Sequence, residues 1–406
     1  MKRLLLALPL SLSLTAQASV PLEKIQVFAE VFERIRANYV EEISDEQLLD
    51  SAIRGMLNDL DPHSSYLPPT DFEDMREDTR GAFGGLGIEV ARDNGLIRVV
   101  TPIDGTPAER AGILPGDLIF QIDGTDIRGM DLNQAIELLR GPVGSEVVLE
   151  LLRAGDEIEL TLTRDLITVD SVRGQFIEPG FAWVRISQFQ EDTGPETLAT
   201  LRRLNDQTPL EGVVLDLRNN PGGVLGAAVG VVNAFVDEGV VVSTQPRDAS
   251  QRVEFRAATS EFNFDNIPLV VLINQGSASA SEIVAGAIQD MKRGVIMGTT
   301  SFGKGSVQTL VALPDDSALK LTTALYYTPS GRSIQNNGIT PDIKVEQGTF
   351  DAQDEAFAFR ERDLNKRLDN PTEALVEDEG EANALLAEDF QLSEALNMLK
   401  GISIIR

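Results

Sequence analysis

Apolar residues recur every three or four positions between residues 22 and 60, which is the period of an amphipathic helix. The repeating positions are Ile25, Phe28, Phe32 and Ile35, followed by Leu48, Leu49, Ile53 and Leu57. Ser44 precedes Glu46 and Gln47, which is typical of a helix start. The pattern stops at Asp61-Pro62 and Pro68-Pro69, so we predict that these prolines end a helical region.

Short alternating patterns replace the helical period between residues 81 and 166, which indicates strands separated by glycine-rich turns. The strand patterns are Leu96–Thr101, Leu118–Ile122, Glu146–Arg153 and Glu157–Thr163. Two helix candidates, Pro107–Ala111 and Asp131–Leu139, lie between them. This segment is predicted to form a small β-rich module.

Continuous apolar strands mark residues 167–348 as a different unit. Val213–Leu217 and Leu269–Ile273 each run into a sharp turn and then a helical pattern, and Phe181–Phe189 and Gly194–Leu204 precede them as a strand and a helix. Strands without polar alternation are typical of a sheet covered on both faces. We therefore predict a layered α/β core.

The last segment, residues 349–406, contains 14 acidic and 6 basic residues. Helical patterns occur at Ala356–Leu368 and Ser393–Leu399, and Pro371–Glu381 is predicted to be a flexible acidic linker. The apolar end, Ile402–Ile405, either docks as a strand or into a partner, or packs on its own core.

The amino terminus has the composition of a secretory signal. Lys2 and Arg3 precede the apolar run Leu4–Leu14, and Ala16-Gln17-Ala18 fits a small-residue cleavage site. A buried amino-terminal helix is the less favoured alternative. We predict a signal peptide at residues 1–18, a periplasmic mature chain without an integral membrane segment, and a helical region at residues 19–80.

Composition excludes several kinds of site. Among 406 residues, 64 are acidic and 35 are basic, giving a net charge of −29, and nucleic-acid binding needs the opposite sign. The absence of cysteine excludes disulfides and thiolate chemistry, and the one histidine, His63, excludes a His-rich metal site. We expect no metal and no cofactor, and His63 is more readily explained as a packed turn residue than as a catalyst.

Three alternating serines follow the strand Leu269–Ile273, at positions 277, 279 and 281. Ser279 with Glu282 has the spacing of a helix capping box, which is the structural explanation. The alternative is a nucleophile on a strand-to-helix turn, where the helix amino terminus stabilises developing negative charge.

Lys304 lies between two glycines and is the remaining candidate base, because a buried lysine loses its charge and accepts a serine proton. A surface lysine in a hairpin is the alternative. Residues 298–304 also nearly match the sequence motif of a phosphate-binding loop. However, Gly305 occupies the position where the motif needs Ser or Thr, and the pattern from Val307 to Leu313 is that of a strand. Nucleotide binding is therefore disfavoured.

Taken in order, the β-rich module and the runs at residues 215–223, 276–283 and 300–308 resemble the carboxyl-terminal processing proteases, or tail-specific proteases. The resemblance extends to the early turn at residues 60–66. It implies a multidomain fold: a PDZ domain at residues 81–166, inserted between the helical region and an α/β, crotonase/ClpP-like serine protease core at 167–348, with an acidic helical region at 349–406.

The resemblance also implies the roles of single residues. Ser279 matches the nucleophile, Lys304 the general base, and Gln308 the glutamine that holds the lysine. The oxyanion donors correspond to the Ala280 amide and to an amide of Gly222 or Gly223, between which the sequence does not choose.

The PDZ-like module implies recognition of a protein tail. Its turn, Gly85-Leu86-Gly87-Ile88, supplies amides that capture a terminal carboxylate while the peptide adds as a strand. We expect a periplasmic endopeptidase acting on protein substrates with apolar C-termini, assembled as a homo-oligomer, with an adaptor protein as a further candidate partner. The alternatives are a catalytically silent PDZ scaffold and an acyl-CoA hydratase-like lyase, which the secretion signal disfavours.

Overall fold

A computed structural model describes residues 21–93, 95–258, 263–348 and 384–405. The predicted signal peptide, the helical pattern at 356–368 and the predicted linker at 371–381 lie outside these residues. No helix in the described part of the chain combines the length and the apolar character needed to cross a bilayer.

The described residues form helices and strands along the whole of their length. The helices are α1 (Leu22–Asn38), α2 (Asp45–Asn58), α3 (Pro69–Arg80), α4 (Pro107–Arg110), α5 (Leu132–Leu139), α6 (Thr193–Gln207), α7 (Leu225–Asn233), α8 (Ala280–Asp290), α9 (Ala384–Glu388) and α10 (Phe390–Ile405). The first strands are β1 (Ser65–Leu67), β2 (Ala82–Gly85), β3 (Ile88–Asp93), β4 (Leu96–Pro102), β5 (Leu118–Ile122), β6 (Thr125–Asp126), β7 (Glu146–Arg153), β8 (Asp156–Thr163) and β9 (Asp165–Thr168). The others are β10 (Val172–Glu178), β11 (Phe181–Ile186), β12 (Gly212–Asp216), β13 (Val240–Pro246), β14 (Val253–Arg256), β15 (Leu269–Ile273), β16 (Val295–Gly298), β17 (Ser306–Ala312), β18 (Ala318–Tyr327) and β19 (Ile343–Lys344).

The two predicted amino-terminal helices are confirmed as α1 and α2. Ser44 caps α2 with a reciprocal capping box, since its side chain accepts from the Gln47 amide and the Gln47 side chain accepts from the Ser44 amide. The prediction that Pro68-Pro69 ends the helical region is wrong, because Pro69 begins α3. Proline is suited to a first helical position, where its missing N–H group has no partner to lose.

The β-rich module forms an antiparallel sheet in the order β3-β4-β5-β7-β8, and β6 pairs with β5. Its core contains fully buried Ile119 and Leu149 on the sheet and Ala135 on α5. The chain enters through β2 and leaves through β9, and these two strands pair from Ala82↔Thr168 to Gly85↔Asp165. A two-stranded ribbon therefore joins the module to the rest of the chain.

The predicted α/β core is built on a six-stranded sheet in the order β10-β11-β12-β15-β16-β19. All neighbours from β11 to β19 are parallel, and β10 is an antiparallel edge strand. Alternate residues of β12 and β15 face α6, α7 and α8 on one side and α10 on the other. Burial on both faces explains why these strands are apolar throughout.

A second sheet, in the order β1-β18-β13-β14 with β17 also paired to β18, lies beside this core. Through β1 it carries the amino-terminal region, because Ser65 pairs with Lys320 and Leu67 with Ala318. The turn at residues 61–64 is thereby held against β18.

The carboxyl-terminal helix α10 confirms the helical pattern at Ser393–Leu399. The strand alternative for Ile402–Ile405 is wrong, because the helix continues to Ile405. Buried Leu392, Leu396 and Leu399 pack against the sheet, so α10 is part of the core of this chain.

We expect Leu399→Ala to lower the free energy of unfolding by about 2–5 kcal/mol, because a fully buried side chain leaves a cavity. Ile404→Ala is the matched control on the same helix: Ile404 is 85% exposed, and its loss should change stability by no more than about 0.5 kcal/mol. Urea unfolding measures both. Equal effects would contradict the packing of α10 on the sheet.

Candidate active site

The three alternating serines occupy the turn between β15 and α8, and they have different environments. Ser277 and Ser281 are fully buried, and their hydroxyls donate to the carbonyl oxygens of Leu217 at 2.8 Å and Asn220 at 2.9 Å. Ser279 is partly exposed and lines a cavity of about 470 Å³. Only the middle serine is thus open to a ligand in that cavity.

Ser279 has a strained backbone, with φ +54° and ψ −110°, a conformation that residues other than glycine rarely adopt. It immediately precedes α8, whose amino terminus carries a partial positive charge. The same combination of strain and helix terminus is typical of a nucleophile on a strand-to-helix turn.

The cavity brings together five of the six residues predicted for catalysis and oxyanion binding, all except Ala280. It lies between α3, the turn after β12, the turn before α8 and the β17–β18 hairpin. Its lining includes Gly222, Gly223, Ser279, Lys304, Gln308, Lys320 and Tyr326.

Glu282 holds the backbone of both candidate catalytic residues. Its buried carboxylate accepts from the amides of Ser279 at 2.8 Å and Lys304 at 2.9 Å, and also from the Gly303 amide and the Ser301 hydroxyl. Burial raises the pKa of Glu282 although these four donors oppose the shift. The capping role predicted for Glu282 is one part of a larger clamp.

Tyr326 adds a second clamp that the sequence reasoning missed. Its buried hydroxyl lies within hydrogen-bond distance of the carbonyl oxygens of Ser279, at 3.1 Å, and of Lys304. Glu282 therefore accepts from the N–H groups of both residues, and the Tyr326 hydroxyl lies against the carbonyl oxygens of both. No local motif around Tyr326 signals this contact, because its partners lie 22 and 47 residues away.

Lys304 is half-buried, and its ammonium group forms no hydrogen bond or ion pair with the residues that the structure describes. Burial lowers the pKa of Lys304, and the positive charge of Lys320 lowers it further, whereas Glu282 and Asp61 oppose the shift. The group is therefore easier to deprotonate than an exposed lysine.

The two glycines after β12 differ in the partners of their amides. The Gly222 amide donates to Asn220 Oδ1 at 2.9 Å, while the amides of Gly223 and Ala280 find no acceptor within the described ranges. Gly222 has φ +102°, and a Cβ there would lie 2.8 Å from Ser279 Cβ. The absence of a side chain at Gly222 thus permits the turn after β12 to approach Ser279 closely. The backbone amides of Gly223 and Ala280 are left as free donors among the described residues.

Gln308 lies on β17 with its amide nitrogen occupied. Nε2 donates to Ser306 Oγ at 2.9 Å and to Thr322 Oγ1 at 3.2 Å, and the Thr322 hydroxyl lies 3.1 Å from Asp61 Oδ1. No donor to Gln308 Oε1 is found among the described residues. His63 is half-buried beside this group, and burial together with the charge of Lys304 lowers its pKa.

The other predicted residues, Gly85, Leu86, Gly87 and Ile88, lie away from Ser279, in the β-rich module. They line a separate cavity of about 230 Å³ whose remaining walls are mainly apolar. Those walls are formed by Phe83, Val90, Ile103, Ile136, Leu139 and Arg140. The amides of Leu86 and Gly87 have no acceptor in the described structure. The predicted residues thus form two sites, one in each unit.

Comparison with known proteins gives matches to three family models. A model described as "Peptidase family S41" matches residues 180–345, and one described as "PDZ domain" matches residues 98–153. Residues 11–70 match the "Activating protease CtpB N-terminal domain".

The chain also has curated relatives along most of its length. It is 45% identical over 387 residues to a "Carboxy-terminal-processing protease" of Bartonella bacilliformis, covering 92% of this chain and 88% of the relative. It is 36% identical to the "Carboxy-terminal processing protease CtpA" of Bacillus subtilis, covering 81% and 70%. Among solved structures, the "Photosystem II D1 C-terminal processing protease" is 34% identical, covers 79% of this chain and 92% of that chain, and has a TM-score of 0.46.

Proposed function

The chain belongs to the carboxy-terminal processing proteases of peptidase family S41 and is a serine-type peptidase with a PDZ domain, and from this premise we propose that Ser279 and Lys304 are its catalytic dyad. One observation carries the proposal. The only serine of the alternating run that is open shares its cavity with a half-buried lysine that has no partner within the described residues. Nucleophile and base need this juxtaposition.

In the proposed first step, the neutral Lys304 amine takes the proton of the Ser279 hydroxyl as Oγ attacks the scissile carbonyl carbon. The carbonyl oxygen becomes an oxyanion. Collapse of this intermediate breaks the C–N bond, and Lys304 returns the proton to the departing amine. Water then attacks the Ser279 ester by the same route and releases the new carboxylate.

We assign the oxyanion donors to the amides of Ala280 and Gly223. Preorganised donors must be free before the charge develops, and both of these are free among the described residues. The Gly222 amide is already used by Asn220, which supports Gly223 over its neighbour. Gln308, through its free Oε1, would accept a hydrogen bond from Lys304 and orient it.

The PDZ domain is proposed to bind the substrate tail in its own cavity. The free amides of Leu86 and Gly87 suit a terminal carboxylate, and the apolar walls suit an apolar last side chain. A silent scaffold would use the same cavity, but it would not need a free dyad lysine whose pKa is lowered.

We further propose that the enzyme works in the periplasm, on the basis of the signal-like residues 1–18. A homo-oligomer and an adaptor protein stay expectations. The apolar side chains that α1 leaves half-exposed, such as Ile25 and Phe28, support the first of them.

Ser279→Ala should lower kcat by at least about 10⁴-fold without unfolding the protein, because it removes the attacking oxygen. Ser277→Ala and Ser281→Ala remove buried hydrogen bonds to the turn after β12. They should cost about 1 kcal/mol of stability each and keep measurable activity. Cleavage of an unfolded protein with an apolar tail is the assay. Comparable losses in all three folded variants would refute the assignment of Ser279.

kcat should rise with pH through a pKa below the ordinary 10.5 of lysine, since only the neutral Lys304 accepts a proton. Below that pKa the ammonium predominates, and kcat should fall about tenfold per pH unit. Lys304→Arg keeps the charge but cannot lose its proton, so it should be inactive at every pH tested. Near-normal turnover by Lys304→Arg would exclude lysine as the base.

Amidation of the substrate C-terminus should reduce kcat/KM by about 10- to 100-fold, because it removes one charge-assisted interaction with the Leu86 and Gly87 amides. A substrate ending in Asp should show a similar fall in kcat/KM, because its charged side chain would face the apolar walls of the cavity. Peptides that differ only at the last residue provide the comparison. Equal kcat/KM for free, amidated and Asp-ended tails would contradict recognition by the PDZ domain, while leaving the dyad unaffected.

A further inference from the structure

The turn at residues 61–64 has no role in the reaction described above, yet it contacts the hairpin that carries Gln308. Strand β1 holds the turn against β18. From there Ser64 Oγ accepts from the Thr322 amide at 3.1 Å, and Asp61 Oδ1 is 3.1 Å from the Thr322 hydroxyl. The turn thus binds both the backbone and the side chain of Thr322.

Asp61 is surrounded by donors. Oδ1 accepts from the amides of His63 and Ser64 and from the Thr322 hydroxyl, and Oδ2 accepts from the Ser64 hydroxyl at 2.7 Å. Burial opposes ionisation, but these hydrogen bonds outweigh it, and the pKa of Asp61 is lowered. At neutral pH the side chain is a carboxylate, which can only accept.

The ionised Asp61 also determines which group of the Gln308 side-chain amide faces Thr322. A hydroxyl has one proton, and Thr322 gives its proton to Asp61, so its oxygen can only accept from Gln308. The group of Gln308 that faces Thr322 must then be the NH₂ group, which also donates to Ser306 Oγ at 2.9 Å. The amide oxygen has no partner among the described residues, and Gln308 lines the same cavity as Lys304.

We propose that Asp61 and Thr322 are positioning residues, which fix the Gln308 amide so that its oxygen, and not its NH₂ group, is presented to Lys304. The inference rests on the proposed dyad. In the flipped amide, Oε1 would face the lone pairs of a Thr322 oxygen whose proton is committed to Asp61, and two N–H donors would face the lysine. The carboxylate makes this flip unfavourable.

Thr322→Val removes the hydroxyl while keeping the side-chain shape and the Asp61 charge. We expect kcat to fall by about 10- to 100-fold, the scale of a misplaced catalytic group, with KM changed less than about twofold. Thr322→Ser should restore activity to within about threefold. Thr323→Val is the matched control, because Thr323 is the next residue on β18, is exposed, and its hydroxyl bonds to Thr309 across the hairpin.

The pH profile separates positioning from general damage. Loss of the Gln308 acceptor destabilises the ammonium form of Lys304, so the acid limb of kcat should move to lower pH in Thr322→Val. The titratable groups around Lys304 are all retained in this variant: Lys320 on β18, Glu282 on α8, Asp78 on α3, and Asp61 and His63 in the turn. A smaller folded fraction would instead lower kcat by the same factor at every pH and would not move the acid limb of the pH profile.

A double-mutant cycle identifies the route. If Thr322 acts through Gln308, Thr322→Val should have little further effect in a Gln308→Ala background. Thr322→Ala is the second variant in case Thr322→Val fails to fold: it removes the same hydroxyl with a smaller side chain and leaves the Asp61 carboxylate in place, so the same fall in kcat is expected.

Two results would overturn the inference. The first is a Thr322→Val enzyme, or a Thr322→Ala enzyme if the former is unfolded, whose kcat and acid limb equal those of Thr323→Val. The second is an undiminished Thr322→Val effect in the Gln308→Ala background. Ser279→Ala is run alongside. An active Ser279→Ala enzyme would refute the dyad itself, whereas a dead Ser279→Ala with a normal Thr322→Val would refute only the role of the turn.

Discussion

The arrangement of this site depends on one buried carboxylate. Glu282 accepts from the amides of Ser279 and Lys304, residues that belong to different turns, and it is itself fixed in the first turn of α8. A buried acceptor with four donors tolerates little displacement, because any lost contact leaves a polar group unsatisfied away from water. The strained backbone of Ser279 persists because Glu282 accepts from its N–H group and Tyr326 contacts its carbonyl oxygen.

The turn after β12 is fixed in the same manner from the opposite end of the chain. Arg218 is buried and pairs with Asp216 at 2.6 Å and with Asp389, at the start of α10, also at 2.6 Å. Removing one partner of such a group leaves a buried charge uncompensated. The carboxyl-terminal helix therefore completes the hydrophobic core and also anchors the segment that leads to Gly222 and Gly223.

Segments near both ends of the described chain thus contribute to one cavity. The amino-terminal turn reaches it through Thr322, the carboxyl-terminal helix through Arg218, and α3 lines it directly with Met75 and Thr79. The PDZ domain is connected through the β2–β9 ribbon, which begins where α3 ends. The ribbon is thus continuous in sequence with α3, whose residues line the cavity.

The sequence by itself determined the elements and the chemistry that are set by near neighbours. Continuous apolar runs predicted β12 and β15, helical periods predicted α1 and α2, and the serine turn and Lys304 were identified from local patterns and from resemblance to the family. Tertiary structure alone decided which serine is open, which glycine amide is free, and that Pro69 begins a helix. It also brought Tyr326 to Ser279, and Asp61 to Thr322 across 261 residues. Local periodicity records which face of an element is buried, but hydrogen-bond partners at such separations exist only once the chain has folded.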